Sequence, residues 1–199
     1  MKVYGLEIIE NKENANLLKE LQEFVSHLQV KSVTNFKSHD GMPLNQADLY
    51  YKGKKVCFVS DDDWGGEMRF DDYGIIDWAR SDDDNRGERP TDFQVDFNNK
   101  YSELEFEFEN GKLRLRMESI MCELFQAHDL KKDMKKGVLV KSAYGWEVIG
   151  YKITIPTMLK KYTKNAVAKA FQPIYDEQIK KGKEILNTNY LHTTIGLAI

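Results

Sequence analysis

The predicted fold is built around residues 47–73, which read ADLYYKGKKVCFVSDDDWGGEMRFDDY. Two strand-like runs flank Lys52-Gly53-Lys54-Lys55, and a short connection containing Gly between two such runs predicts a tight hairpin. Gly65-Gly66 suits the positive φ of a turn, and the Asp residues before it favour turns by bonding their own backbone. A third strand is predicted at residues 67–70. The stretch therefore predicts consecutive antiparallel strands.

A second hairpin is predicted between Glu103 and Glu118, where both arms alternate apolar and charged residues. Folding the chain at Asn110-Gly111, the favoured pair for a type I′ turn, makes one face apolar and puts opposite charges side by side on the other. This register pairs Glu109 with Lys112, Phe108 with Leu113, Glu107 with Arg114, Phe106 with Leu115, Glu105 with Arg116 and Leu104 with Met117. The competing interpretation starts the next helix near Lys112, because the apolar residues also fit helical spacing. We favour the hairpin because both arms alternate.

Helical spacing of apolar residues predicts helices on both sides of these strands. The predicted helices cover residues 12–28, 118–136, 157–171 and 173–186, with Pro173 in a first turn. Further strands are predicted at residues 3–9, 30–36 and 138–140, the last pairing with 146–155. Runs of strands followed by helices indicate an α+β fold, with a largely antiparallel sheet packed by N-terminal, central and C-terminal helices. We expect a core domain over residues 1–155 and a helical segment over 156–199 packed on it.

The net charge of −3 hides a strongly uneven distribution. Residues 60–129 carry 20 acidic residues against 8 Lys and Arg, whereas residues 130–183 carry 13 Lys against 4 acidic residues. Such polarity affects association more than fold. Cys57 and Cys122 form no Cys-x-x-Cys pair, and no apolar run approaches the roughly 18 residues of a membrane span. These features predict a soluble protein of a reducing cytoplasm, with no membrane partner.

The acidic centre invites a test for a metal site, because carboxylates are the ligands of hard cations. Asp61, Asp63 and Gly66 match the spacing of a calcium loop, but Gly65 falls where a third ligand belongs and Asp72 replaces the usual Glu. No Gly-rich phosphate loop and no nucleophile motif is present. We therefore predict no metal, no cofactor and no catalytic residue. A divalent-metal-dependent hydrolase or nuclease using the carboxylates of residues 61–72 stays open as an alternative.

Two binding surfaces remain as predictions. The first is an acidic, aromatic patch that would bind a basic protein partner, since exposed aromatic residues ringed by charge are typical of interface hot spots. Its residues are Asp61, Asp62, Asp63, Trp64, Gly65, Gly66, Glu67, Asp71, Asp72 and Trp78. The leading prediction is accordingly a non-enzymatic binding protein, and self-association into a homo-oligomer is left open.

The alternative surface is basic and would bind nucleic acid. Its lysines are Lys131, Lys132, Lys135, Lys136, Lys160 and Lys161, with Tyr144, Trp146, Tyr151 and Tyr162 interleaved in the same part of the chain. Lysines neutralise phosphates and aromatic rings stack on bases. The region contains no Arg, the residue most suited to bidentate contacts with bases or phosphates.

Several short motifs resemble a run found in small uncharacterised proteins of bacteriophages and plasmids. They are His39-Asp40-Gly41, Leu49-Tyr50-x-x-Gly53-Lys54-Lys55-Val56, Asp61-Asp62 and Gly65-Gly66-Glu67, followed in similar order by residues 130–136, Val138-Leu139-Val140 and Ile185-Leu186-Asn187. The resemblance carries over no catalytic residue. It implies a protein of a mobile genetic element that acts in a bacterial cytoplasm, for example as a phage-encoded inhibitor of a defence or host complex.

Overall fold

The structure is a computed structural model that describes residues 2–3, 6–41, 43–61, 68–71, 92–108, 111–143 and 145–198. Within these ranges the chain forms antiparallel strands and helices, which confirms the predicted α+β class. It divides into two compact units, Met1–Ala127 and His128–Ile199. This division falls earlier in the chain than the boundary expected at residues 155 and 156, so the last hairpin groups with the C-terminal helices.

The N-terminal unit contains two four-stranded antiparallel sheets. The first joins β1 (Lys2–Val3), β2 (Leu6–Ile8), β7 (Glu105–Phe108) and β8 (Gly111–Arg114) in that order, and the second is a meander of β3 (Leu28–Lys37), β4 (Pro43–Tyr51), β5 (Lys54–Ser60) and β6 (Arg69–Asp71). The single strand predicted at residues 3–9 is thus two short strands, which pair with each other.

The hairpin of β4 and β5 is confirmed. Tyr51 faces Lys54, and the two residues between them, Lys52 and Gly53, have φ values of 49° and 77°. Positive φ at both central positions is the type I′ turn, whose twist matches that of the strands it joins. The third strand of the opening stretch, β6, pairs with β5 as predicted.

The hairpin of β7 and β8 forms, but its predicted register is wrong. Phe106 faces Leu113 rather than Leu115, and Phe108 faces Gly111. The shift is two residues, which leaves every side chain on its predicted face because side chains alternate with a period of two. Opposite charges still face each other, since Glu105 is opposite Arg114 and Glu107 is opposite Lys112.

Three helices complete the N-terminal unit: α1 (Ala15–Ser26), α2 (Asp92–Tyr101) and α3 (Met117–Asp133), the last of which continues into the second unit. α1 and α3 match the predicted helices to within a few residues, whereas α2 had no counterpart in the sequence-based prediction. The apolar stripe of α1 buries Leu18, Leu21 and Val25. α3 buries Ile120, Met121, Leu124 and Phe125.

The C-terminal unit consists of the predicted hairpin of β9 (Gly137–Ser142) and β10 (Gly145–Gly150), with α4 (Ile155–Leu159), α5 (Lys164–Lys180) and α6 (Thr188–Ile195). The two helices predicted at residues 157–171 and 173–186 are wrong, because α5 continues through Pro173. The core of the C-terminal unit joins the hairpin to α4, α5 and α6. Its buried apolar residues are Val138, Val140, Ile155, Val167, Phe171, Tyr175, Leu191, Ile195 and Leu197.

No helix in the described ranges is both long enough and apolar enough to cross a membrane.

Candidate functional site

The predicted acidic surface lies mostly outside the described residues. The residues of this surface that lie outside the described ranges are Asp62, Asp63, Trp64, Gly65, Gly66, Glu67, Asp72 and Trp78. Tyr144 of the basic region also lies outside them. Asp61 and Asp71 are described, and both are half-buried. Asp71 ends β6, where it faces Phe58 of β5.

Asp61 is tied into the meander sheet. The backbone N–H of Asn45 donates to Asp61 Oδ2 at 2.7 Å, and Asn45 Nδ2 donates to the same oxygen at 3.3 Å. The backbone N–H of Asp61 returns a hydrogen bond to the Asn45 carbonyl at 2.9 Å. Asn35 Nδ2 extends the chain of contacts by donating to Asn45 Oδ1 at 2.7 Å. The Asp61 carboxylate therefore extends the β4–β5 pairing beyond the end of β5.

Two features of the described ranges bear on metal-dependent and thiol chemistry. No three His, Cys, Asp or Glu side chains there lie close enough together to hold a metal ion. Cys57 is buried. Cys122 is partly exposed, but burial of its thiol, followed by the negative charges of Asp61 and Glu123, raises its pKa. A raised pKa lowers the fraction of thiolate, which is the nucleophilic form.

The lysines of the predicted basic surface, by contrast, are all described. The C-terminal unit carries 13 lysines against 6 acidic residues and no Arg, a formal charge of +7, which leaves −10 on the N-terminal unit. From Val148 to Tyr175 the chain contains five lysines and no acidic residue at all. This acid-free interval can be read from the sequence, but the prediction of the basic surface did not use it.

One backbone hydrogen bond links the segments that carry the two predicted groups of lysines. Lys131 and Lys132 lie in the last turn of α3, and Lys135 and Lys136 follow it directly. The carbonyl of Lys135 accepts a 2.7 Å hydrogen bond from the backbone N–H of Ile155, the first residue of α4. Since α4 rises 1.5 Å per residue, Lys160 at its C-terminal end lies roughly 8 Å along the helix axis from that contact. Lys161 follows.

The predicted lysines differ in their electrostatic environment. Lys136 Nζ lies 2.5 Å from Asp133 Oδ1, and the other oxygen of Asp133 accepts a 2.9 Å hydrogen bond from Trp146 Nε1. Partial burial disfavours the ionised carboxylate, but hydrogen bonds from Lys136 and Trp146 outweigh it and lower the pKa of Asp133. Lys136 is therefore partly neutralised, and Trp146 is held against the end of α3.

The other five lysines of the predicted set are exposed and make no ion pair with any described acidic residue. They are Lys131, Lys132, Lys135, Lys160 and Lys161. Elsewhere in the unit Lys141 pairs with Glu184 at 2.9 Å and Lys181 pairs with Glu177 at 2.5 Å. Five lysines without an ion pair to a described acidic residue thus lie in the last turn of α3, just after it and at the end of α4, while other exposed lysines of the unit, such as Lys169 and Lys183, lie elsewhere.

Two exposed tyrosine rings flank α4 in the chain. Tyr151 is 46% exposed, and its hydroxyl donates to the carbonyl of Ala170 at 3.1 Å. Its ring meets Phe171 edge-on, with centroids 5.2 Å apart. Tyr162 is 56% exposed, the largest exposed fraction among the large apolar side chains of the described ranges. Both rings lie next in sequence to lysines, Lys152 and Lys161.

Comparison of the chain with protein-family models, with curated proteins and with solved structures gives no match.

Proposed function

We propose that this protein is a non-enzymatic binding protein whose C-terminal unit binds nucleic acid through its lysines. The observation that carries the proposal is the group of five exposed lysines without acidic partners around α4 and the end of α3. Lysines that neutralise phosphates release counterions from the nucleic acid, which supplies sequence-independent affinity. A surface whose lysines are already paired with carboxylates would gain less affinity from contacts with phosphates.

The proposal is tested by binding to a labelled oligonucleotide as a function of salt. The logarithm of affinity falls linearly with the logarithm of salt concentration, with a slope of about −0.7 per phosphate neutralised on a single strand and about −0.9 on a duplex. Replacing Lys131, Lys132, Lys160 and Lys161 by Ala should therefore weaken binding and make the slope shallower by about 3.

The matched control replaces four lysines of the N-terminal unit, which changes the net charge equally. Lys12, Lys19, Lys37 and Lys54 are all exposed and suit this purpose. Equal losses in the two variants would mean that net charge alone governs binding. No binding by the wild-type protein at low salt would refute the proposal.

The acidic patch remains a second candidate, now as a surface for a basic protein partner. It is supported by the formal charge of −10 on the N-terminal unit, because complementary charge speeds and selects association. Since Asp61 holds Asn45, the clean variant changes Asp62 and Asp63 to Asn and leaves Asp61 intact. A partner captured from bacterial lysate by both proteins alike would remove these two residues from the candidate surface.

The role of a phage-encoded inhibitor of a defence or host complex, acting in a bacterial cytoplasm, is carried only by the resemblance of short motifs. The resemblance suggests that the partner would come from a bacterial host, but it assigns no residue to the binding surface. The hydrolase alternative requires a cation at residues 61–72, so a rise in melting temperature with Mg²⁺, Mn²⁺ or Ca²⁺ is its test.

A further inference from the structure

We infer that the C-terminal unit binds single-stranded nucleic acid in preference to duplex, with Tyr151 and Tyr162 stacking on bases while the neighbouring lysines neutralise phosphates. The inference rests on the proposed function and specifies which form of nucleic acid the surface takes. It is carried by the exposure and anchoring of the two rings, which phosphate binding alone does not need.

Tyr151 is placed as a rigid platform. Its hydroxyl is held by the Ala170 carbonyl and its ring by Phe171, which is itself fully buried, so the ring is fixed at two points. Nearly half of its surface nevertheless faces solvent. A ring that is already ordered loses little conformational entropy when a base stacks on it, and stacking is therefore favoured.

Tyr162 offers a second ring with a different attachment. Its backbone N–H donates to the Met158 carbonyl at 2.8 Å, and the next residue, Thr163, is the N-cap of α5, whose hydroxyl accepts from the backbone N–H of Ala166 at 3.3 Å. The backbone at Tyr162 is thus fixed between two helices while the side chain projects into solvent. An exposed apolar ring next to Lys160 and Lys161 is suited to a ligand that combines phosphates and bases.

The chemistry of the surface indicates sequence-independent recognition. The unit has no Arg, which is the usual residue for bidentate contacts with guanine. Lysines bind phosphates as point charges, and every base has a π-face on which a ring can stack. Duplex bases are already stacked inside the helix, so only an unpaired strand can use the tyrosines. DNA and RNA single strands share this chemistry.

The experiment measures fluorescence anisotropy of the full chain with a mixed-sequence single strand of about 20 nucleotides, as DNA and as RNA, and with the matching duplex. Inorganic polyphosphate, which has charge but no bases, competes as a further probe. Single strands of both kinds should bind at least about tenfold more tightly than duplex. Tyr162→Ala should weaken single-strand binding by roughly five- to 150-fold, the range of one stacked base, and leave polyphosphate competition unchanged.

Conservative variants separate stacking from folding. Tyr151→Ala removes a contact with Phe171, so it is paired with Tyr151→Phe, which keeps the ring; Tyr162→Phe serves in the same way. Tyr162→Phe should bind single strands like the wild type. Tyr151→Phe keeps the ring and its contact with Phe171 but loses the hydrogen bond to the Ala170 carbonyl, so it should lose much less affinity than Tyr151→Ala. Equal affinity for single strand and duplex, or a Tyr162→Ala variant with wild-type affinity, would overturn the inference and leave nucleic-acid binding standing. If the wild-type protein bound neither single strands nor duplex, the proposed function itself would be refuted.

Discussion

Asn187 is the buried polar residue on which we expect the C-terminal unit to depend most. It is 1% exposed, and its Oδ1 accepts a 3.0 Å hydrogen bond from the backbone N–H of Leu139. Its Nδ2 donates to the carbonyl of Gly137 at 2.7 Å and to that of Met134 at 3.3 Å. The side-chain amide therefore acts like a peptide group, closing the edge of β9 that does not face β10.

The expected cost of Asn187→Ala follows from this geometry. The change leaves the Leu139 N–H and the Gly137 carbonyl without these partners in a buried place, and each such group costs about 1–3 kcal/mol. We expect the free energy of unfolding to fall by about 2–4 kcal/mol. Asn187→Asp should lower the free energy of unfolding further near neutral pH, because a buried carboxylate would face two carbonyl oxygens.

The Asp variant adds a test with a defined sign. Burial would raise the folded-state pKa of this carboxyl above the unfolded value of about 3.9, so the protonated form is favoured in the folded state. The variant should therefore regain stability as the pH falls through that raised pKa, and lose it as the pH rises.

Urea denaturation followed by circular dichroism measures these changes. The control is Asn189→Ala, an exposed Asn two residues further along in α6 that should change stability by less than about 0.5 kcal/mol. If Asn187→Ala and Asn189→Ala unfold at the same urea concentration, the amide does not support the sheet edge and the reasoning is refuted.

Three further predictions concern single positions of the C-terminal unit. Gly137→Ala should lower the free energy of unfolding by about 2 kcal/mol or more, because the added Cβ would clash with the backbone carbonyl of Ile149, whereas Gly111→Ala, with open space, should be nearly neutral in the same urea titration. Pro173→Ala should raise the melting temperature, since Pro inside a helix removes a hydrogen bond and costs about 3 kcal/mol; an unchanged melting temperature would contradict this. Asp133 has a lowered pKa, so its stabilising contribution is present above about pH 3.9 and is lost as the pH falls through the folded-state pKa. Asp133→Asn should therefore make the free energy of unfolding depend less on pH below about pH 4. Parallel pH profiles of the wild type and the variant would count against this prediction.

The second hairpin shows what a sequence pattern can and cannot determine. Alternation predicts which face of each strand is apolar, and a shift of two residues keeps that face unchanged. Alternation does not distinguish between these two registers. In the structure the carbonyl of Leu104 accepts a 2.7 Å hydrogen bond from the backbone N–H of Leu115, and Asn98 of α2 accepts one of 2.8 Å on its Oδ1 from the backbone N–H of Met117. Met117 is the first residue of α3 and is not available as the predicted strand partner of Leu104.

Pro173 shows a local rule overruled by packing. A proline suggests a helix start, but the apolar residues Val167, Phe171 and Tyr175 form a buried stripe at a spacing of four that runs past it. Burying such side chains stabilises by about 1.5–3 kcal/mol each, which together exceeds the roughly 3 kcal/mol cost of one interior proline. Residue 173 itself is exposed, so its ring meets no tertiary neighbour in the core.

For the candidate site, the sequence predicted the lysines but not their arrangement. Lys131 and Lys160 are far apart in the chain, and what joins their neighbourhoods is a backbone hydrogen bond between Ile155 and Lys135. The role of Asp61 could not be predicted from the sequence either. Its partner Asn45 is 16 residues away, across a strand pair whose register shifts between Leu49 and Tyr50, so alternation could not place the two side by side.

Salt dependence is the measurement that separates binding through the lysines from stacking on the tyrosine rings. At 0.1 M ionic strength charges interact over about 10 Å, and at 1 M over about 3 Å. Contacts between lysines and phosphates therefore weaken as the salt concentration rises. Stacking of Tyr151 and Tyr162 on bases does not depend on screening in this way. Binding that survives moderate salt only for single strands would therefore have to come from the rings, whereas binding that disappears equally for single strand and duplex would come from the lysines alone.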